Sequence, residues 1–343
     1  MKVLNRGNNV SLSVLLLWLL LWGKVDAQDI HFSQFHNSPF NLNPAMAGQF
    51  DGDYRFIANQ RTQWRSVTVP YVTFGGSADM RGVAGYDEVG GAFSLYHDKA
   101  GDSQFSTLQG NIALSYLYPL SSDSLHFLSG GFQIGFTQRS IDYSELNFDN
   151  QYSGYSFNPN IPHNEAFGRD SYTHLNLNIG ASYYYQPEER KMVQVGFSAF
   201  NLTAPDQSLF LQPNVNLSRR FNLHASGVYK IHEEIDLLPA VLFMYQKPHR
   251  EIVFGSSARY ILEKTEHTYR TIHAGIFYRN RDAGFIMVGM DYDNLFAGIS
   301  YDLNVSQLRV ASHGRGALEF SLIYIIRQYK PERVTYKACP DFI

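Results

Sequence analysis

The chain has a single cysteine, Cys339, in 343 residues. An internal disulfide framework is therefore impossible, and stability has to come from backbone pairing and packing. The thiol, in Lys337-Ala338-Cys339-Pro340, is open to two readings: an idle side chain, or a bond to another chain. Charge is also scarce. Asp, Glu, Lys and Arg make up 17% of the residues, the net charge is −3 and there is no dense basic run, so nothing calls for nucleic acid as a partner. Past residue 27 no apolar run reaches the length of a membrane helix, which excludes spanning by helices.

The signatures of catalysis are missing as well. There is no Gly-x-Ser-x-Gly, no His-Glu-x-x-His and no paired cysteine, and His97, His126, His163, His174, His224, His273 and His313 are scattered singly. Asp142, Glu145, Asp149, Glu165 and Asp170 are too dispersed for a calcium loop. We expect no enzyme, no metal and no cofactor. The Gly-Gly pairs at 75–76, 90–91 and 130–131 fall inside strand patterns, where they suit close packing or bending better than phosphate binding.

What is present begins with a leader. Lys2 and Arg6 precede the apolar run Val14 to Trp22, and Val25-Asp26-Ala27 follows it, the layout of a secretory signal peptide over 1–27 with Gln28 opening the mature chain. Aromatics are abundant at 15%, with 23 Tyr and 25 Phe. From residue 52 the chain alternates apolar and polar side chains, as in THLNLNIGASYYY at 173–185, where Leu175, Leu177 and Ile179 oppose Asn176 and Asn178. A period of two means strand. The pattern predicts about fourteen strands, at 52–62, 70–80, 89–97, 104–118, 124–138, 172–187, 190–201, 219–231, 234–246, 249–261, 267–279, 284–291, 294–302 and 317–327.

A soluble sandwich and a membrane barrel both produce such alternation; loop lengths separate them. The long connections 139–171, 203–218 and 303–316 all follow odd-numbered strands and therefore share one rim, while 120–123, 187–189, 232–233 and 292–293 are tight. A sandwich has no reason to sort its loops. Tyr116, Tyr118, Tyr183 to Tyr185, Tyr229, Tyr260 and Tyr324 end strands at the other rim, as in an interfacial girdle. We expect an all-β transmembrane antiparallel barrel over 52–328, with Gln109, Asn111, Asn176, Asn178, Asn222 and His224 facing the lumen and Glu251 and Arg259 contributing to a luminal charge ladder. The last strand is apolar on both faces, which predicts protein cover on one of them. Both termini are expected in the periplasm, with 329–343 as a tail there and the long loops outside.

Residues 28–51 are aromatic, nearly uncharged and broken by Pro39 and Pro44, so they form neither a strand nor a long helix. A barrel of this size is wider inside than its own side chains can fill, which places this segment partly in the lumen as a plug carrying Phe32, Phe35, Asn43, Pro44, Ala45 and Gly48. The loops at 139–171 and 203–218 carry Tyr143, Phe148, Tyr152, Tyr155, Phe157, Phe167, Leu209, Phe210 and Leu211. So many large apolar side chains in loops mean either a partner interface or a lid over the barrel mouth.

Gln28-Asp29-Ile30-His31-Phe32-Ser33-Gln34-Phe35, Asn43-Pro44-Ala45-Met46-Ala47-Gly48, Ser300-Tyr301-Asp302-Leu303-Asn304-Val305-Ser306 and the closing Cys339-Pro340 bracket the mature chain. In these pieces the sequence resembles the PorP/SprF outer-membrane proteins of the type IX secretion system. The resemblance implies a barrel that works with the secretion and gliding machinery, exporting large adhesins and holding them at the cell surface, with outer-membrane lipid, the adhesin and other secretion components as partners. The sequence departs from that family at Asp341, where a basic residue is expected. An Asn-Pro-Ala turn is shared with fatty-acid-transporter-like barrels, and the alternative is a diffusion channel for a small apolar solute.

Overall fold

A computed structural model describes residues 29–65, 69–101, 103–162, 168–209, 215–265, 268–306 and 309–327. The expected signal peptide, Phe167, Phe210, Leu211, Cys339 and the tail at 329–343 lie outside the described residues. The strands are β1 (Tyr54–Gln63), β2 (Tyr71–Arg81), β3 (Val89–Ala100), β4 (Phe105–Pro119), β5 (His126–Ser140), β6 (Ser171–Glu188), β7 (Lys191–Phe200), β8 (Arg220–His232), β9 (Ile235–Gln246), β10 (His249–Lys264), β11 (Tyr269–Arg279), β12 (Ala283–Tyr292), β13 (Leu295–Asn304) and β14 (Arg315–Ile326). Each pairs antiparallel with its chain neighbours, and β1 closes on β14, making a closed barrel of fourteen strands.

Alternation sets which side chain meets which medium. On β6, Leu175 and Ile179 point outward and are exposed, while Asn176, Asn178 and Ser182 point inward and are buried. Register couples neighbouring strands on both faces: Ile134 opposes Leu177 outside, and Gln133 opposes Asn178 inside, where Asn178 Nδ2 donates to Gln133 Oε1 at 2.7 Å. A slip of one residue would put amides outside and leucines inside. At the closure, Asn59 opposes Ser321 with a 2.9 Å hydrogen bond and Arg61 opposes Glu319. Bare apolar side chains such as Phe93, Ile112, Phe132, Ile276 and Phe320 cover the outer wall. Each would cost roughly 1.5–3 kcal/mol to leave in water, so the wall is built to meet lipid. Closure leaves no unpaired sheet edge there.

The connections 141–170, 201–219 and 305–314 all leave odd-numbered strands and share one rim, called here the long-loop rim. Tight turns at 247–248 and 280–282 lie on it too, and the opposite rim carries 82–88, 120–125, 189–190, 233–234, 265–268 and 293–294. Tyr116, Tyr118, Tyr229, Tyr260 and Tyr324 are exposed on the outer wall near that opposite rim. Tyr184 instead points inward, its hydroxyl accepting from Gln194 Nε2 at 3.2 Å. Cations there are matched by acids. Lys264 beside Glu189 and Lys230 beside Glu233 hold both carboxyls below the usual range.

Candidate functional site

Inside the barrel lies the segment 29–50, in three short helical turns, Phe35–Asn37, Pro39–Leu42 and Pro44–Met46. It begins at the long-loop rim. The Asp29 carboxylate is 3.8 Å from both Arg139 and Arg220 and accepts from Asn201 Nδ2 at 2.6 Å, and its N–H donates to Gln246 Oε1 at 3.1 Å. Arg220 also donates to the Asn41 carbonyl at 3.0 Å and stacks on Phe200 with 4.3 Å to the ring centre.

The next contact is a buried ion cluster. The N–H groups of Ser33 and Gln34 donate to the two oxygens of Glu319 at 2.7 and 2.9 Å. Arg61 is 3.1 Å from both Glu319 and Asp302, and Arg279 is 3.3 Å from Asp302 and 3.6 Å from Glu251. The Ser33 hydroxyl sits among them, donating to Asp302 at 2.8 Å and accepting from Arg279 at 2.6 Å and from Arg61. Buried charges need partners of this kind, since an unpaired one is expelled or neutralised.

Beyond the cluster, polar side chains of the wall hold the segment's backbone. The Leu42 carbonyl accepts from Ser198 at 2.7 Å and Asn222 at 2.9 Å, the Ala45 carbonyl from Ser129 at 2.7 Å, and the Ala47 carbonyl from Ser115 at 2.6 Å. Asn43 caps the turn at Pro44–Met46 by accepting the Ala45 N–H at 2.9 Å, while its amide donates to the Ala181 carbonyl and Ser182 at 3.0 Å and lies 3.1 Å from His224. The segment ends at the opposite rim, where the Gly48 N–H donates at 2.8 Å to Asp79, itself bound by Arg55 at 2.8 and 2.9 Å. Gly48 has φ 67°, a left-handed conformation suited to glycine. Apolar side chains fill the gaps: Phe35 and Leu42 pack with Val253, Phe277 and Phe285, and Phe40 and Ala47 pack with Ile57, Ala92 and Ala113. Ile323 of β14 joins the second group, which accounts for the doubly apolar last strand.

Each residue expected in the segment is inside: Phe32, Phe35, Asn43, Pro44, Ala45 and Gly48 are buried, and Phe32 lies beside Tyr96 at 6.3 Å between ring centres. The direction differs from expectation. Asp29, where the described residues begin, shares a rim with the long loops, whereas the sequence leads one to expect the N-terminus at the rim opposite them. The chain crosses the lumen before it enters β1, and a strand count that starts at β1 cannot see that crossing. Glu251 and Arg259 also differ, because they meet different partners, Arg279 and Asp236, and form no common ladder. Arg61, Arg279, Asp302 and Glu319 are not among the residues the sequence singles out; the signal it offers is a charge at an inward-facing strand position.

At the long-loop rim, two loops are tied together. Arg169 donates to the Ser208 carbonyl at 2.7 and 2.9 Å and its N–H to the Leu209 carbonyl at 3.1 Å, and Tyr143 donates to the Arg169 carbonyl at 3.1 Å. Tyr143, Phe148 and Leu209 are half-buried by this arrangement. Tyr152, Tyr155 and Phe157 are exposed, Tyr155 to 98%, around the bridge between Tyr152 and Phe157. A cleft of about 640 Å³ at the base of the first loop is lined by His97, Lys99, Tyr143 and Asp170. Asp142 is held below the usual carboxylate range by the hydroxyl and N–H of Ser144, and burial pushes the Tyr143 hydroxyl up, with Asp170 adding to it. Among the described residues, no group of three His, Cys, Asp or Glu is placed to hold a metal ion.

The profile of the family described as "Type IX secretion system membrane protein PorP/SprF" matches residues 24–324. No curated protein matches the chain. Among solved structures, the chain is similar to the CymD monoaromatic hydrocarbon channel, at 10% identity over 86% of this chain and 94% of that one, with a TM-score of 0.49. It is similar to a Pseudomonas aeruginosa FadL homologue at 13% identity over 82% and 92%, TM-score 0.42. The deltaS2 mutant of the TodX monoaromatic hydrocarbon channel gives 8% over 85% and 94%, TM-score 0.46.

Proposed function

Since the chain belongs to the PorP/SprF family of type IX secretion system membrane proteins, we propose that it serves that machinery in the outer membrane as a closed docking barrel. In this reading its long loops face the cell exterior and hold a large secreted adhesin, and other secretion components bind elsewhere on it. The observation that carries the reading is the internal segment. Its carbonyls and N–H groups are bound by serines, an asparagine and a glutamate from β4, β5, β7, β8 and β14, so an exported polypeptide has no room in the lumen. The work is then done at the mouth. Tyr152, Tyr155 and Phe157, exposed on a loop tied to its neighbour by Arg169, are the proposed contact surface, with Tyr143, Phe148 and Leu209 supporting it. Phe167, Phe210 and Leu211 belong to the same two loops, and Cys339 is kept as a candidate thiol for a bond between chains.

The test has two readouts. Purified barrel in a planar bilayer should show no sustained conductance, and cells carrying Tyr152→Ser, Tyr155→Ser and Phe157→Ser together should shed the adhesin into the medium while the barrel stays in the membrane. Sustained conductance with adhesin display intact would instead support a diffusion channel for a small apolar solute.

A further inference from the structure

Where β9 turns into β10 and β11 into β12, the long-loop rim is low, with turns at 247–248 and 280–282 and no long connection leaving either. The two hairpins are joined there by the Asn280 N–H, which donates to the Ile252 carbonyl at 2.8 Å. Lys247, Arg250 and Arg281 all stand exposed in this sector. None of the three side chains has a hydrogen bond or a carboxylate partner among the described residues. The nearby acids Glu251 and Asp282 are engaged by Arg279, at 3.6 and 2.9 Å.

The opposite rim follows another rule. There Lys191 pairs with Glu188, Lys230 with Glu233, Lys264 with Glu189, Arg270 with Glu263 and Arg327 with Asp51. Those five cations have carboxylate partners, and the three at the long-loop rim have none among the described residues. Such a group repels itself unless an anion arrives from outside. Directly below it the outer wall is apolar. Tyr245 opposes Arg250 and Phe243 opposes Ile252 in the ladder, and the rings of Phe254 and Tyr278 meet edge to face at 5.7 Å. Cations at the upper limit of a greasy wall stand at the height of lipid head groups.

We infer that this sector docks a phosphate-bearing membrane lipid, its acyl chains along Phe243, Ile252 and Phe254 and its phosphates between Lys247, Arg250 and Arg281. A guanidinium offers a phosphate two parallel N–H donors, and three cations suit a head group with more than one phosphate. With the long-loop rim facing outward, as proposed above, that lipid is the phosphorylated glycolipid of the outer leaflet. The inference rests on the barrel lying in the outer membrane with the long-loop rim outward and does not depend on what the loops hold.

The test uses full-length protein purified in detergent, incubated with bis-phosphorylated lipid A or with the same lipid after dephosphorylation, and read by native mass spectrometry. The wild-type barrel should retain the phosphorylated form at least about tenfold more than the other. The variant Lys247→Gln/Arg250→Gln/Arg281→Gln should lose that preference, and Lys191→Gln/Lys230→Gln/Lys264→Gln at the opposite rim should keep it. Heat-modifiable gel mobility reports whether each variant is a folded barrel; if the triple variant is not, Arg250→Gln alone decides, with a reduced preference expected. Equal retention of both lipids by the wild type, undiminished preference in the long-loop-rim variant, or equal loss in both triple variants overturns the site.

Discussion

At Gly131 and Gly180 a hydrogen atom stands where any other side chain would begin inside the internal segment. A Cβ on Gly131 would overlap the backbone of Pro44 and Ala45, and one on Gly180 the side chain of Asn43. Gly130, one position earlier, points outward with nothing within 4 Å of its would-be Cβ. The pair makes a controlled comparison. Overfilling a packed site costs about 1–3 kcal/mol. Gly131→Val should therefore lower hydrogen-exchange protection of residues 43–48 by roughly tenfold or more, since 1.4 kcal/mol corresponds to a factor of about ten. Gly130→Val should leave it unchanged, and equal protection in both variants would show that the segment is not held against that wall. The sequence marked these Gly-Gly pairs as close-packing sites inside strands but could not say which glycine of each pair met what. The ion cluster was hidden for a related reason. Arg61 lies 258 residues from Glu319 and 241 from Asp302, so parity flags a buried charge but only the closed barrel supplies its partner. Glu251 and Arg259 share a face of β10 but stand about 26 Å apart along it, at ~3.3 Å per residue, so each takes its partner from a neighbouring strand, Arg279 and Asp236.

At the scale of elements, strands were the most legible feature because each separates two media, and a period of two survives any loop length. All fourteen stand within a few residues of their expected bounds. The largest shifts, three residues each, are at the ends of β3 and β10; the second follows a register irregularity between Ile261 and Glu263 that lets pairing run on to Lys264. Loops carry no such period, and their mutual arrangement is set by single contacts that composition does not announce. Arg169 is one. Its guanidinium binds the Ser208 carbonyl twice and lies 5.0 Å from the Tyr172 ring centre, clamping 141–170 onto 201–219. Hydrogen bonds to a charged group are worth about 1.5–3 kcal/mol, so Arg169→Ala should let the two loops separate and raise their cleavage rate by limited proteolysis roughly tenfold or more. The barrel should keep its heat-modifiable mobility. Unchanged cleavage would mean that the loops are held together by other contacts.

For the molecule as a whole, the decisive geometry is which ends share a side. The segment 29–50 runs through the lumen from Asp29, beside Arg139 and Arg220 at the long-loop rim, to Gly48 beside Asp79 at the opposite one, and only then does the chain enter β1. Its N-terminal end therefore lies on the side of the long loops. An epitope inserted between Ser153 and Gly154 marks the long-loop side, one in the turn Ser121–Ser124 marks the other, and one placed directly before Asp29, after the expected cleavage site, reports the segment. In intact cells an antibody should reach the tags before Asp29 and at Ser153 together, and the tag at Ser121–Ser124 only after the outer membrane is opened. Were the tag before Asp29 to follow the Ser121–Ser124 tag, the segment would run through the barrel in the other direction, and the Ser33–Glu319 and Asp29–Arg220 contacts could not exist as described. Were both rims reversed together, the long loops would face the periplasm; the internal contacts would stand, but the docking surface for a secreted adhesin would be on the wrong side of the membrane.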